Sequence, residues 1–195
     1  MDLQRRIRGH FEDSARLKQE AAEPLAGPIA RAVELITSAL AADRKLLVCG
    51  NGGSAGDSQH LAAELIGRFE RERPELAAVA LTTDSSILTA IANDYAFEQV
   101  FAKQVRGLGR EGDVLVAIST SGNSPSVLAA AQAARERGLA IVALTGRGGG
   151  RLGEMLGDGD VHLCVPHDRT ARIQEVHLLI IHCLCDGIDV SLMGE

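Results

Sequence analysis

The sequence contains no tryptophan, and aromatic residues make up only 3% of its 195 residues. Small side chains take their place, with 21 glycines and many alanines, and these suit close helix packing and tight turns. With 46% hydrophobic and 24% charged residues, the chain has the composition of a globular protein that buries one core. We therefore expect one domain over residues 1–195, of the α/β class and not a β-sandwich.

An excess of positive charge is also missing, because the formal net charge is −6 and the pI is about 5.5. This balance argues against binding to nucleic acid or to an anionic membrane through bulk electrostatics. No apolar run approaches the roughly 20 residues that span a bilayer, and the segment MDLQRRIRGHFED lacks the apolar core of a signal peptide. We expect a cytoplasmic protein that captures any anionic ligand locally.

Paired cysteines are absent as well. The four cysteines are Cys49, Cys164, Cys183 and Cys185, and they form no CxxC pair. This spacing argues against a disulfide framework and against a zinc–thiolate site. We expect these side chains to serve as small hydrophobic residues without a chemical role.

From residue 45 onward, short apolar runs alternate with helical patterns. The candidate strands are almost continuously apolar, as in strands covered on both faces. They lie at 45–49, 77–82, 113–118, 140–145 and 161–165, and the candidate helices lie at 54–68, 85–93, 97–107, 124–137 and 170–192. This alternation predicts a doubly wound, flavodoxin-like parallel sheet of five strands with helices on both faces.

Two more helices are predicted ahead of the sheet, one over residues 2–23 before Pro24 and one after Pro28. Residues 1–42 therefore form a helical N-terminal extension, which we expect to take part in oligomerisation. The glycine-dense residues 146–159 are predicted to form a turn, a short helix and another turn, as a surface connection that can move.

Two loops in this pattern are suited to bind an anion. Residues 50–54 form a glycine-rich turn before a helix start, and residues 119–124 bring four hydroxyl groups to another helix start. Both follow strands, at the edge where open parallel sheets bind ligands. The alternative is that Ser124 only caps its helix. Neither loop has a nucleotide fingerprint, so a small phosphorylated molecule is favoured over ATP or NAD.

The helix after the first loop carries His60 and Glu64 four residues apart, on one face. Such a pair is often only a surface ion pair, but its place directly after a phosphate-type loop favours acid–base chemistry. In the last helix, Gln174 and His182 lie about 12 Å apart along the axis. One metal ion would bind both only if their side chains extend towards each other, if the helix bends, or if the ligands come from two chains.

Four segments resemble the successive motifs of the phosphoheptose (sedoheptulose-7-phosphate) isomerases, a family within the SIS (sugar isomerase) domain proteins. They are CGNGGSAGDSQHLAAELIGRF, LTTDSSILTAIANDYAFE, GDVLVAISTSGNS and RIQEVHLLIIH. The resemblance covers nearly the whole chain. It implies the SIS fold and a homotetramer with active sites at subunit interfaces. The implied reaction is the conversion of sedoheptulose 7-phosphate to D-glycero-D-manno-heptose 7-phosphate through an enediol. This is the first step of nucleotide-heptose synthesis for the lipopolysaccharide core.

The same resemblance assigns residues. It implies that Glu64 and His182 are the catalytic pair, and that residues 119–124 hold the phosphate. The implied substrate-binding residues are Asn51, Gly52, Gly53, Asn93, Asp94, Ser119, Thr120, Ser121, Ser124 and Gln174. Some family members bind zinc, at positions that match His60, Glu64, Gln174 and His182. One departure is Ala171, where some members carry an acidic residue.

For the reaction we hypothesise that Glu64 is the base at carbon and that His182 assists at oxygen or in ring opening. Which proton each of them handles stays open. A non-catalytic relative that associates with the replication initiator DnaA keeps the SIS fold, and the segment AKQVRGLG resembles it as well. That relative does not retain a Glu and a His at these two positions, so the enzyme is favoured. A SIS-type regulator or another phosphosugar isomerase is the third hypothesis.

Overall fold

The chain folds around a five-stranded sheet in a computed structural model that describes residues 2–194. The strands are β1 (Leu46–Gly50), β2 (Ala78–Ala80), β3 (Val114–Ser119), β4 (Ala140–Gly146) and β5 (Val161–Val165). Their order in the sheet is β2-β1-β3-β4-β5, and each neighbouring pair is parallel. This order confirms the predicted flavodoxin-like, doubly wound SIS fold.

Within residues 2–194 seven α-helices surround the sheet. They are α1 (Leu3–Ala41), α2 (Gly53–Ile66), α3 (Ser85–Asp94), α4 (Val100–Leu108), α5 (Pro125–Glu136), α6 (Gly150–Met155) and α7 (Thr170–Met193). Single turns of 3₁₀ helix occur at Phe97–Gln99 and Arg147–Gly149. Alternate strand residues point to opposite faces, so one apolar core forms with α1, α2 and α7, and the other with α4 and α5.

The N-terminal extension is one continuous helix. Leu3–Ala41 contains both Pro24 and Pro28, so the prediction of two helices separated at the prolines is wrong. A proline inside a helix removes one backbone hydrogen bond and crowds the preceding turn. Buried residues on either side of Pro28, such as Leu25 and Ala32, belong to the core that also contains α7. This packing outweighs the local preference to end the helix.

Among residues 2–194 one helix, α7, is long and apolar enough to cross a membrane by length and composition alone. The sequence contains no uninterrupted apolar run of this length, and α7 meets the criterion only as an average over its composition. Ile173, Ile180 and Leu184 of α7 are buried in the core with the sheet and α1. A core helix of a folded domain meets the same test, and this packing accounts for the apolar face of α7.

Candidate active site

A cavity of about 330 Å³ opens at the carboxyl ends of β1 and β3. These strands are neighbours, but α2 after β1 and α5 after β3 pack on opposite faces of the sheet. Such a switch point is where open α/β sheets bind ligands. The cavity is lined by both predicted loops and by the start of α7, through Asn51, Gly52, Gly53, Ser54, Ile118, Ser119, Thr120, Ser121, Ser124, Thr170 and Gln174.

The residues 119–124, here called the hydroxyl loop, are joined to the loop after β1 by one amide group. Asn51 Nδ2 donates to the hydroxyl oxygens of Ser124 at 2.8 Å and Ser126 at 2.9 Å. Within residues 2–194 the side chain of Ser124 makes no capping bond to α5, so the interpretation of Ser124 as only a helix cap is not supported. In the first turn of α5, Pro125 has no N–H and those of Val127 and Leu128 donate to the carbonyl oxygen of Ser124, so the N–H of Ser126 is the one left for an anion.

The glycine-rich segment after β4 supports the hydroxyl loop from behind. Gly122 has a φ of +64°, and a Cβ at this position would lie 1.7 Å from the carbonyl oxygen of Gly149. The N–H of Leu152 donates to the carbonyl oxygen of Gly122 at 2.9 Å, and the N–H of Arg151 donates to Asn123 Oδ1 at 3.1 Å. The predicted turn and short helix are therefore present, and they pack against the loop. The predicted mobility of this segment stays a prediction.

Gln174 of α7 closes the cavity opposite the hydroxyl loop. Its side chain lies against Gly53, where an added Cβ would be 2.3 Å from Gln174 Nε2. Glycine at position 53 is therefore what allows α7 to approach the start of α2 this closely.

Three titratable side chains meet farther along the contact between α2 and α7. His60 Nε2 lies 3.0 Å from His182 Nε2 and 3.6 Å from Glu64 Oε1. The ring of Phe69 lies 5.6 Å from the ring of His182, measured between centroids. The structure thus brings the predicted catalytic residues Glu64 and His182 together within one chain, with His60 between them.

The contact between the two histidines constrains their protonation. A hydrogen bond between two Nε2 atoms needs one donor and one acceptor, so at least one of these rings is neutral. His60 and Glu64 keep partial exposure, and a substrate can therefore reach the group from the solvent side. We refer to His60, Glu64 and His182 as the α2–α7 cluster.

The predicted zinc ligands are only partly assembled. His60, Glu64 and His182 supply two imidazole nitrogens and a carboxylate, which are donor types that zinc uses, so these three fit the metal. Gln174 does not join them, since it lies at Gly53. As they stand, no group of three or more His, Cys, Asp or Glu residues in 2–194 is arranged to hold a metal ion.

Asn93 and Asp94 are not brought to the cavity of this chain. They form the exposed end of α3, where Asn93 Nδ2 donates to Asp94 Oδ1 at 2.8 Å. The reason is topological, because α3 follows β2, which lies on the side of β1 away from β3. Their predicted contact with the sugar stays a prediction.

Sequence reasoning missed two charged residues near the α2–α7 cluster. Asp57 lies one turn before His60 and lines a surface cleft next to Gln174; burial raises the pKa of its carboxyl, against the opposing effect of His60. Its spacing from His60 could have marked it as a site residue. Arg73 is the last residue of the charged run 68–73, a pattern typical of a solvated helix end, yet its side chain is fully buried. No local pattern separates it from the other arginines of that run.

His177 and two second-rank candidates for the site, Arg68 and Arg172, are placed as follows. His177 is buried, its Nε2 bonds to the carbonyl oxygen of Thr145 at 2.9 Å, and burial lowers its pKa to about 4, as for a neutral structural histidine. Arg68 pairs with Glu72 at the surface at 2.9 Å. Arg172 is buried against α1 and does not line the cavity between the two loops.

Comparisons with known proteins agree with this geometry. The SIS domain family matches residues 10–146. The phosphoheptose isomerase of Dechloromonas aromatica (strain RCB) is 66% identical over 194 residues, which cover 100% of this chain and 99% of that protein. The structure of phosphoheptose isomerase from Neisseria gonorrhoeae shares 59% identity and a TM-score of 0.92, covering 96% of this chain and 98% of that one. A phosphoheptose isomerase from Francisella tularensis shares 46% identity and a TM-score of 0.94, with coverage of 97% and 99%.

Proposed function

Since this chain belongs to the phosphoheptose isomerase family of SIS-domain proteins, we propose that it converts sedoheptulose 7-phosphate to D-glycero-D-manno-heptose 7-phosphate through an enediol. The observation that carries the proposal is the contact of Glu64, His60 and His182, on the two helices whose first turns line the hydroxyl-lined cavity. One part of this site suits a phosphate group, and the other suits proton transfer at carbon and oxygen.

The hydroxyl loop is proposed to hold the phosphate group. Ser119, Thr120, Ser121 and Ser124 line the cavity at the N-terminus of α5, and each of them carries a hydroxyl group. Hydroxyl donors and the positive end of a helix dipole bind a phosphate without a formal positive charge. This local capture accounts for an anionic substrate on a protein with a net charge of −6.

The chemistry needs a base at carbon and a group that moves protons between oxygens. A base removes a proton from C1 of the ketose while its O2 is protonated, which gives the enediol; C2 is then protonated and O1 loses its proton. We assign the carbon base to Glu64 and the transfer at oxygen to His182. Support for this assignment comes from His60, whose Nε2 contact with His182 at 3.0 Å orients that imidazole.

Zinc is part of the proposal. His60, Glu64 and His182 would hold the ion, and Gln174 would join them only if its side chain leaves Gly53. When bound, zinc polarises the carbonyl and hydroxyl oxygens of the substrate.

We further propose a cytoplasmic homotetramer that acts in lipopolysaccharide core synthesis. Leu3, Ile7 and Phe11 are exposed along one side of α1, which supports a role for residues 1–42 in subunit contact. Association with DnaA is not supported, because full-length relatives are phosphoheptose isomerases and both Glu64 and His182 are present.

The experiment is an assay of sedoheptulose 7-phosphate turnover by the wild type and by Glu64→Gln and His182→Gln. Both variants should lose most activity, because each lacks a proton-transferring group. Glu136→Gln is the matched control, since it neutralises an exposed carboxylate that pairs with Arg106 at 3.2 Å far from the cavity. Activity close to wild type in either site variant would contradict the catalytic role of that residue. An inactive wild type that pulls down DnaA would favour the non-catalytic, DnaA-associating protein.

A further inference from the structure

Arg73 occupies an unusual environment for the last residue of a charged run. Its side chain is 0% exposed, and its guanidinium lies within hydrogen-bond distance of five acceptors, which are Asp189 Oδ1 and the carbonyl oxygens of Glu64, Leu65, Gly67 and Pro74. Nε lies 2.7 Å from Asp189 Oδ1, Nη2 donates to the carbonyl oxygen of Glu64 at 2.6 Å, and Nη1 donates to that of Leu65 at 2.8 Å. One planar group therefore satisfies backbone acceptors and a carboxylate at once.

These three contacts join the two helices of the α2–α7 cluster. The carbonyl groups of Glu64 and Leu65 belong to the last turn of α2, where helix carbonyls have no partner within the helix. Asp189 follows His182 by seven residues, which places both on the same face of α7. The guanidinium thus connects the backbone of Glu64 to the helix face that carries His182.

Stability alone does not explain this arrangement. Burying an arginine–carboxylate pair requires the loss of hydration of both charges, and a pair of apolar residues often stabilises a protein as well or better. Asp189 Oδ2 also has no hydrogen-bond partner among residues 2–194. What an apolar pair cannot supply is the fixed direction of three hydrogen bonds.

We propose that Arg73, together with Asp189, is a positioning residue that fixes the backbone of Glu64 relative to His182 during proton transfer. This inference rests on the proposed function, since the pair is given a role in the geometry of the isomerase reaction. Arg73 contacts the main chain of Glu64 and reaches neither the hydroxyl loop nor the phosphate cavity. Its loss should therefore lower kcat and leave phosphate binding intact.

The test uses the double variant Arg73→Met with Asp189→Leu, because removing Arg73 alone would leave a buried unpaired carboxylate and endanger folding. We expect kcat to fall by about tenfold to a hundredfold, the loss that follows a misplacement of reacting groups by about 1 Å. KM and the inhibition constant of inorganic phosphate should stay within about twofold of wild type. Arg73→Lys keeps the positive charge but not the planar guanidinium, and its kcat should lie between those of the wild type and the double variant.

Lys45→Met is the control, since it breaks another ion pair, Lys45 Nζ to Asp113 Oδ2 at 2.6 Å, just before the amino ends of β1 and β3. The Asp113 carboxylate still accepts the backbone N–H groups of Lys45 and Arg110, so it is not left without partners. It should lower the melting temperature and leave kcat unchanged. A folded double variant with wild-type kcat overturns the proposal, and so does a control that loses kcat to the same extent.

A second readout does not depend on the substrate. The imidazole N–H proton between His60 and His182 is expected to give an NMR resonance in the wild type, which should shift or exchange faster in the double variant and persist in Lys45→Met. An unchanged resonance in the double variant also overturns the proposal. If the wild type fails to turn over the heptose, the proposed function falls, while this resonance still decides whether Arg73 positions the cluster.

Discussion

The hydroxyl loop and the α2–α7 cluster belong to one site but are held by different means. The loop lies at the end of β3, and Asn51 from the neighbouring strand end fixes it together with the backbone around Gly149. The cluster joins His60 and His182, which are 122 positions apart, and it depends on how α2 and α7 pack and on Arg73. Phosphate binding should therefore respond only to changes nearby, whereas acid–base geometry should also respond to changes at a distance.

Glu64→Gln should have the largest effect, and it should lower kcat without changing phosphate binding. The amide cannot accept the proton from carbon, so kcat should fall by about 10²- to 10⁴-fold, the usual contribution of a general base. Inhibition by inorganic phosphate should not change, because the hydroxyl loop is untouched. The measurement is steady-state kinetics with phosphate as competitor, and an equal loss of phosphate affinity would remove the distinction between the two regions.

Gly122→Ala should damage the loop and spare the cluster. Its φ of +64° strains any other residue, and the new Cβ would meet the carbonyl oxygen of Gly149. We expect the free energy of unfolding to fall by about 1–3 kcal/mol and KM to rise by more than about tenfold. Denaturant unfolding and kinetics check this. Gly107→Ala is the control, because Gly107 lies in α4 with open space around it and should gain stability by about 0.5–1 kcal/mol.

His177 of α7 forms a hydrogen bond with the carbonyl oxygen of Thr145 near the end of β4. It therefore connects a helix of the α2–α7 cluster to the sheet that carries the hydroxyl loop. Burial lowers its pKa from 6.5 to about 4, so the unfolded chain binds this proton more readily than the folded one. The contribution of this group to the free energy of unfolding is therefore fully present above about pH 6.5. Up to about 3 kcal/mol of it is lost as the pH drops towards 4. Unfolding free energies of wild type and His177→Leu between pH 7 and 4 check this, and an equally steep loss in the variant would contradict it.

The smallest effect is expected from Ser124→Ala. The change removes one phosphate-facing hydroxyl group and an acceptor for Asn51, and a single hydrogen bond of this kind contributes about 1 kcal/mol. KM should rise by about fivefold, with kcat nearly constant. A fall in kcat at constant KM would mean that the loop acts in proton transfer, against the assignment made above.

The fold could be predicted because its signals are local. Each strand is a short apolar run, and glycine or hydroxyl residues directly follow β1 and β3, so the switch point is visible in the sequence. The single helix α1 could not be predicted, because Pro24 and Pro28 are local breakers that long-range packing against α7 overrides.

The site could be predicted in part for the same reason. His60 and Glu64 share a helix face, so spacing alone pairs them, whereas the approach of His182 depends on the packing of α7. The placement of Gln174 at Gly53 and the burial of Arg73 depend on tertiary contacts that no local pattern encodes.

The central claim is that the α2–α7 cluster moves the protons of an enediol. The most direct measurement is proton NMR of sedoheptulose 7-phosphate incubated with the enzyme in D₂O. Wild type should place deuterium at C2 of the aldose and at C1 of the recovered ketose, because the proton removed by Glu64 exchanges with solvent. Glu64→Gln should place deuterium at either carbon at a rate lower by about 10²- to 10⁴-fold. Deuterium at carbon in Glu64→Gln at the wild-type rate would contradict the account.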